Sequence, residues 1–219
     1  MKEFKFKVVE NAITVELANF IYNYFLLKSD AVKHMYNNNM HDKWRILGYW
    51  DDEQVPNTYC CYGDFATETL LLKMIPQIEK YTGYKIVPTY SYTRLYKKGD
   101  ILARHKDRPA CELSATINLG GDPWSIYIDE TGADSVINWK KNIIKANAPK
   151  GTQVFLNAGD MLVYSGCKLE HWREPFQGDL LHGQVFLHYN DAKGKYAVNN
   201  IFDRRAMLGL PYKPGAPLA

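Results

Sequence analysis

Residues 86–107, IVPTYSYTRLYKKGDILARHKD, decide how this chain is read. From Ile86 to Tyr96 the residues alternate and are rich in β-branched and aromatic side chains, the pattern of a strand. Lys98-Gly99-Asp100 then supplies turn chemistry, and the chain runs on to His105-Lys106-Asp107. Just upstream the period is helical. Leu70, Leu71, Met74, Ile75 and Ile78 give one apolar face to a helix from Phe65 to Tyr81, and Gly83 closes it. Pro76 inside that helix predicts a kink or a restart. The hydrophobic period thus switches from 3.6 residues to 2 at Gly83.

Downstream the shorter period persists. Leu113–Leu119, Trp124–Ile128, Gln153–Leu156, Met161–Tyr164 and Leu181–Tyr189 read as strands. Gly120-Gly121-Asp122-Pro123, Asn157-Ala158-Gly159-Asp160 and Gln177-Gly178-Asp179 are the turns between them. Upstream, Lys5 to Val9 alternates as a short strand, and Asn11 is placed to cap a helix after it. Leu17, Ala18, Phe20, Ile21, Tyr24 and Phe25 mark that amphipathic helix over Thr14–Leu27, and Asn37-Asn38-Asn39 breaks the pattern. Residues 40–63 read as a long irregular loop carrying Trp44, Tyr49, Trp50, Tyr59 and Tyr62, of the kind that can close over a substrate.

Helices first and then six or more short strands predict an α+β, mainly β, fold: an antiparallel barrel or two-sheet roll with N-terminal helices on one side. No strand is followed by a helix that returns to a parallel neighbour, which argues against a doubly wound sheet. One domain is expected over residues 1–219, with helical support at about 1–83, a barrel core at about 84–190 and a tail at 191–219.

Composition sets the outer bounds. Apolar residues at 46% and charged residues at 23% exclude a disordered chain. A net charge of +3 with no Lys/Arg-dense face gives nucleic acid no electrostatic footprint, and the lysines from Lys140 to Lys150 read as a solvated loop. MKEFKFKVVE has no apolar signal core, and no run of apolar residues is long enough to span a bilayer, so no membrane partner is expected. Cys60, Cys61, Cys111 and Cys167 have no zinc-ligand spacing and are expected as free thiols in the reducing cytoplasm. His34 and His41 have no partner motif, and Arg104 and Arg108 beside the His-x-Asp pair are expected in solvent. Oligomeric state is not written in the sequence.

The chemistry gathers around His105 and Asp107. In extended chain residues i and i+2 point the same way, so one imidazole and one carboxylate can converge on a metal from a single strand end. His171, after the strand Met161–Tyr164 and a short loop, is the candidate third ligand. Two His and one carboxylate on one face of an octahedron leave three positions open, the arrangement of non-haem Fe(II) sites; zinc would accept the same donors.

The surroundings of these residues carry a resemblance. Tyr92 to Asp107, with its strand, glycine turn and His-x-Asp, resembles the 2-oxoglutarate/Fe(II) dioxygenases of the prolyl-4-hydroxylase type. Leu113-Ser114-Ala115-Thr116-Ile117-Asn118-Leu119 is similar to the strand that comes next in that family. Gly159-Asp160-Met161-Leu162-Val163-Tyr164 and His171-Trp172-Arg173-Glu174-Pro175 resemble the strand and loop that bring the distal histidine. The resemblance spans about residues 84–190. It implies a double-stranded β-helix, a jelly-roll or cupin-like barrel, with Fe(II) in its mouth. 2-Oxoglutarate would chelate that iron, O2 would be the oxidant, succinate would be released, and ascorbate is a candidate reductant.

One departure matters. The family usually binds the far carboxylate of 2-oxoglutarate with Arg or Lys about nine to eleven residues after the distal His, where this chain has Leu180, Leu181 and His182. A dianion in a low-dielectric pocket still needs a cation or several donors. Arg173 shares strand parity with His171 and is the first candidate; His182 is the second and Arg94 the third. Tyr96 matches the family position lining the 2-oxoglutarate pocket, and Asn118 falls where the family can place another polar group. Gln184 shares parity with His182, Phe186 and His188.

The implied activity is hydroxylation of a prolyl or other residue in a peptide or protein, or of a small molecule, and fold alone does not choose among them. Two readings compete: a double-stranded β-helix that binds without catalysing, favoured by the missing Arg/Lys, and a zinc-dependent cupin-like hydrolase.

Overall fold

A computed structural model describes residues 4–40, 42 and 45–210. His41 and Trp44, both noted in the sequence, and the tail beyond residue 210 lie outside the described residues. The elements are β1 (Phe6–Val9), α1 (Val15–Asn37), β2 (Tyr59–Tyr62), α2 (Phe65–Thr82), β3 (Ile86–Tyr96), β4 (Leu102–His105), β5 (Leu113–Gly120), β6 (Ile126–Ile128), β7 (Val136–Asn138), β8 (Ile143–Ile144), β9 (Thr152–Val154), β10 (Met161–Tyr164), β11 (His171–Arg173), β12 (His182–Asp191) and α3 (Ala197–Asn200). Six strands form a major sheet in the order β1-β10-β5-β12-β3-β2, and four form a minor sheet, β4-β11-β6-β9. Every pairing in both sheets is antiparallel. No ladder joins the two sheets among the described residues, so of the two expected architectures the structure is the two-sheet jelly-roll.

Alternation along the strands builds two layers of core. Leu113, Ala115, Ile117 and Leu119 of β5 and Val185, Leu187 and Tyr189 of β12 face the helices, where they pack with Ala18, Ile21 and Phe25 of α1 and Leu70, Leu71, Met74 and Ile78 of α2. Each buried Leu, Ile, Val, Phe or Met side chain here contributes about 1.5–3 kcal/mol. The intervening residues face the minor sheet. Near β9 that interior is apolar, with Ile126, Ile128 and Val154 against Leu162 and Tyr164. Toward β3 it is polar and holds Arg94, Ser114, Thr116, His182, Gln184 and His188, all buried.

Four local expectations are corrected. Thr14, not Asn11, caps α1, its hydroxyl accepting from the Leu17 N–H at 3.2 Å; Asn11 sits in a left-handed turn and donates its N–H to Asp160. Helix α2 is continuous through Pro76 and does not restart there. Leu72, whose carbonyl loses its helical donor there, is exposed, so water can satisfy it. The end of the long loop is no loop: Tyr59–Tyr62 is the outer strand of the major sheet, paired with β3. Arg104 is buried rather than solvated.

Residues 197–205 fold back against β3. Arg205 donates to Glu68 at 3.1 Å and to the Thr89 carbonyl at 2.7 Å. Phe202, Asp203 and Arg204 all take positive φ, a left-handed run costing about 1–2 kcal/mol per residue. Asp203, buried between Tyr62 and Arg108, offsets part of that cost. No helix of the described residues is long and apolar enough to cross a membrane.

Candidate metal centre

His105 ends β4, His171 begins β11, and the two are cross-strand partners with ring centroids 4.3 Å apart. Asp107 lies two residues past His105, its N–H donating to the Gly166 carbonyl at 2.9 Å. Its Oδ1 is 3.6 Å from His105 Nε2 and 3.4 Å from His171 Nε2, and the three donor atoms all lie within 4.8 Å of one another. Both imidazoles are oriented from behind. His105 Nδ1 donates to the Ala103 carbonyl at 2.7 Å and His171 Nδ1 to the Leu169 carbonyl at 3.1 Å. Those bonds leave the two Nε2 atoms to face Asp107, as metal-binding imidazoles are held.

The charges are tightly coupled. Burial opposes ionisation of Asp107, but His171 and His105 outweigh it and hold its carboxyl well below the usual range. Burial likewise opposes protonation of His171, yet Asp107 outweighs it and raises that pKa, while burial and then His171 lower the pKa of His105. A divalent cation would take the place of the shared proton. The donor set fits such an ion: two neutral nitrogens, one carboxylate oxygen, and an open side.

That open side is a cavity of about 410 Å³ walled by Tyr90, Tyr92, Arg94, Trp139, Tyr164 and Phe186. The long loop reaches its mouth. Gln54 donates to His105 Nε2 at 3.1 Å and accepts from Arg94 at 3.1 Å, and Asp52 pairs with Arg94 at 2.9 Å. Of the loop aromatics, Trp50 instead packs on Tyr59 and Tyr36. Arg108 lines the cavity and is held by Asp203 at 2.6 and 2.8 Å.

Behind His171 lies a second polar group. Arg173 is 1% exposed, lies over the Trp124 ring and donates to the Trp124 carbonyl at 2.5 Å. Its Nε has no partner, and no carboxylate pairs with it among the described residues. Burial alone lowers its pKa to about 10. Tyr96 and Tyr164 offset part of the burial. His182 packs beside Tyr96 and Trp124, and burial followed by the charge of Arg173 lowers its pKa to about 4. His182 is therefore neutral and donates Nδ1–H to the Asp122 carbonyl at 2.9 Å. Its Nε2 lies 2.8 Å from the Gln184 side-chain oxygen, and the Gln184 amide nitrogen donates to the Thr116 hydroxyl.

Tyr96, Arg173, His182 and Gln184 are thus brought together, and His105, Asp107 and His171 form a second set beside them. Arg94 joins the cavity wall, already paired. Asn118 stays apart: its amide donates to the Leu156 carbonyl at 2.7 Å and accepts from the Gly120 N–H at 2.9 Å, so both of its polar atoms hold backbone. Sequence reasoning did not single out Asp52, Gln54, Ser114, Tyr164 or the role of His188. Inward parity could have found Ser114 and His188 on their strands, whereas nothing in the local pattern marks Asp52 or Gln54. A further set of donors, Asp107, Cys111 and His188, shares the carboxylate of the first and has its thiol bonded to the Tyr90 hydroxyl at 3.1 Å.

No protein-family model matches the sequence, and no curated protein does. Solved structures do match. A prolyl-4-hydroxylase from Pseudomonas putida superposes with a TM-score of 0.51 at 13% identity over 84% of this chain and 92% of that one. HygX from Streptomyces hygroscopicus, solved with nickel and 2-oxoglutarate bound, gives 0.60 at 12% identity over 88% and 85%. SnoN, a non-haem α-ketoglutarate-dependent epimerase from nogalamycin biosynthesis, gives 0.60 at 13% identity over 100% and 92%. At these identities the likeness shows the fold: the chain has the jelly-roll of the 2-oxoglutarate/iron-dependent oxygenases.

Proposed function

We propose that this chain is an Fe(II)- and 2-oxoglutarate-dependent dioxygenase that hydroxylates a peptide or a small molecule, with release of succinate and CO2. The observation that carries the reading is Arg173: a buried guanidinium without a counter-charge among the described residues, on the same strand face as His171. A buried cation of this kind is costly unless something neutralises it, and the far carboxylate of 2-oxoglutarate is an anion that would do so.

His105, Asp107 and His171 would hold the iron. Arg173 and Tyr96 would grip the far carboxylate, with His182 and Gln184 fixing the shape of the pocket wall behind them. Iron with 2-oxoglutarate and O2 supplies the oxidising power for an unactivated C–H bond. The chain's own work is to orient the ligands from behind, to exclude water with Tyr92, Trp139, Tyr164 and Phe186, and to admit substrate past Asp52 and Gln54. Ascorbate is the reductant we would supply to keep the iron ferrous.

Neighbours of both substrate kinds exist: the Pseudomonas putida enzyme is a prolyl-4-hydroxylase, and HygX was solved with hygromycin B bound. Peptidyl proline is our leading candidate among substrates. The cytoplasm is the compartment we propose, since all four cysteines are free thiols. A zinc hydrolase is less well supported, because a hydrolase needs a free general base and Asp52, the nearest additional carboxylate of the cavity, is tied to Arg94.

The test is succinate formation with Fe(II), 2-oxoglutarate and ascorbate in air, alongside metal analysis. Wild-type protein should form succinate, and His105→Ala and Asp107→Ala should fold yet form none. Full succinate formation by Asp107→Ala would remove the triad from the account, and tightly held zinc with no succinate would favour the hydrolase.

A further inference from the structure

The two oxygens of Asp107 do not face the same surroundings. Oδ1 looks toward the two imidazoles. Oδ2 accepts from the Ser114 hydroxyl at 2.8 Å. Ser114 has one proton and a carboxylate can only accept, so that proton belongs to the Ser114–Asp107 bond. The Ser114 oxygen is also 3.0 Å from His188 Nδ1, and with its own proton spent it can only accept there. His188 must therefore carry hydrogen on Nδ1, and the chain of donation runs from His188 to Ser114 to Asp107. Ser114 and His188 are cross-strand partners on β5 and β12, so the sheet register itself sets this contact. The His188 ring is held against Tyr90 at 4.5 Å, and Tyr90 stacks on Tyr62 at 5.1 Å.

Gly166 completes the enclosure from the other side. A Cβ there would stand 2.4 Å from Asp107 Oδ2, 2.4 Å from the Cys111 carbonyl and 2.6 Å from Ser114 Oγ. Its φ lies outside the left-handed region, so space, not backbone conformation, is what excludes a side chain. Its carbonyl also accepts the Asp107 N–H. A hydroxyl and a missing side chain thus act on the same carboxylate oxygen, and an imidazole acts on that hydroxyl.

We propose that Ser114, His188 and Gly166 form a cradle that pins Oδ2 of Asp107, so that this residue serves a metal through Oδ1 alone. The inference rests on the metal centre proposed above and concerns how its carboxylate is presented. A carboxylate free to rotate can chelate with both oxygens and take a second coordination position. One whose outer oxygen is engaged offers a single ligand and keeps the facial set at three. Ser114, His188 and Gly166 are positioning residues; they act through Asp107.

The experiment uses the full chain and Co(II) alone as the probe, with affinity from titration and geometry from the ligand-field absorption of the bound ion. Ser114→Ala, which removes one oxygen, should raise the Co(II) Kd by about 10- to 100-fold and shift the absorption bands. Gly166→Ala should move both readouts in the same direction. His188→Leu should give a smaller rise, about three- to tenfold, and His188→Asn, which keeps a donor where Nδ1 lies, should recover most of it. Circular dichroism and thermal unfolding of the metal-free variants accompany each titration. A lower melting temperature with unchanged Co(II) Kd and spectrum in Ser114→Ala and His188→Leu would make these residues core packing and overturn the cradle. Absence of Co(II) and Fe(II) binding by the wild-type protein is a different result, and it would overturn the metal centre itself.

Discussion

Two buried arginines lie on adjacent strands of the minor sheet and face opposite ways. Arg104, on β4, points outward and is saturated. It donates to Glu170 at 2.7 Å, to Asp129 at 2.6 Å and to the Pro149 carbonyl at 2.6 Å, and lies 4.2 Å from the Trp172 ring centroid. Arg173, on β11, points inward and among the described residues has only the Trp124 carbonyl and ring, with its Nε unpaired. Both are nearly fully buried. A charge kept for architecture comes with its counter-charges in the fold. On our proposal Arg173 is a charge kept for a ligand, left open so that the fold bears the cost until the ligand arrives.

Substitution should pull these two residues apart. The largest effect is expected at Arg104. Arg104→Met strands Glu170 and Asp129 against each other in the interior and should destabilise the protein by about 3–5 kcal/mol in denaturant unfolding, with little change in 2-oxoglutarate affinity. At Arg173 the pattern reverses. Arg173→Met should weaken 2-oxoglutarate binding by about 2–5 kcal/mol, roughly thirtyfold or more in Kd, while raising the stability of the ligand-free protein by about 1 kcal/mol. If Arg173→Met destabilises the ligand-free protein as Arg104→Met does, the contrast collapses and Arg173 is structural.

His182 sharpens the comparison through pH. Burial and Arg173 bring its folded pKa to about 4, below the ordinary value near 6.5. The unfolded chain therefore takes up the proton first as pH falls. Stability contributed by the neutral ring is fully present above pH 6.5 and declines between there and pH 4, by about 2 kcal/mol between pH 7 and pH 5. His188, also brought to about 4 by burial, adds a parallel loss. His182→Phe should remove its share of the acid slope in unfolding measured from pH 7 to pH 5, and an unchanged slope would mean the ring is already charged beside Arg173. The smallest effect is expected at Tyr96, where loss of one hydroxyl in Tyr96→Phe should weaken 2-oxoglutarate binding by about 1 kcal/mol and leave metal affinity unchanged.

The same contrast explains what could be read from the sequence. His105, Asp107 and Arg173 follow from strand parity, which is local, and the turn residues marked most strand ends. Strand β11 is only three residues long and β4 only four, too short for a period to register, so the two strands that carry the histidines were visible through their motif and not through their pattern. The family resemblance offered Asn118 to the co-substrate but could not show that its amide is committed to Leu156 and Gly120. Local reading also could not show that Arg104 is buried, because the acids that surround it come from residues 129 and 170. Asp52 and Gln54 reach the cavity from a loop whose path depends on Arg94 and Tyr92 across a long stretch of chain. Long-range register and loop paths are set by tertiary packing, and a local reading has no access to them.

The central claim is that iron held by His105, Asp107 and His171 and 2-oxoglutarate anchored by Arg173 occupy one site. The most direct measurement is an anaerobic titration of the Fe(II)-loaded protein with 2-oxoglutarate, followed by visible absorbance. The account predicts a weak metal-to-ligand charge-transfer band that saturates with 2-oxoglutarate in the wild-type protein and needs far higher 2-oxoglutarate in Arg173→Met. Bound iron with no such band at any 2-oxoglutarate concentration would contradict it.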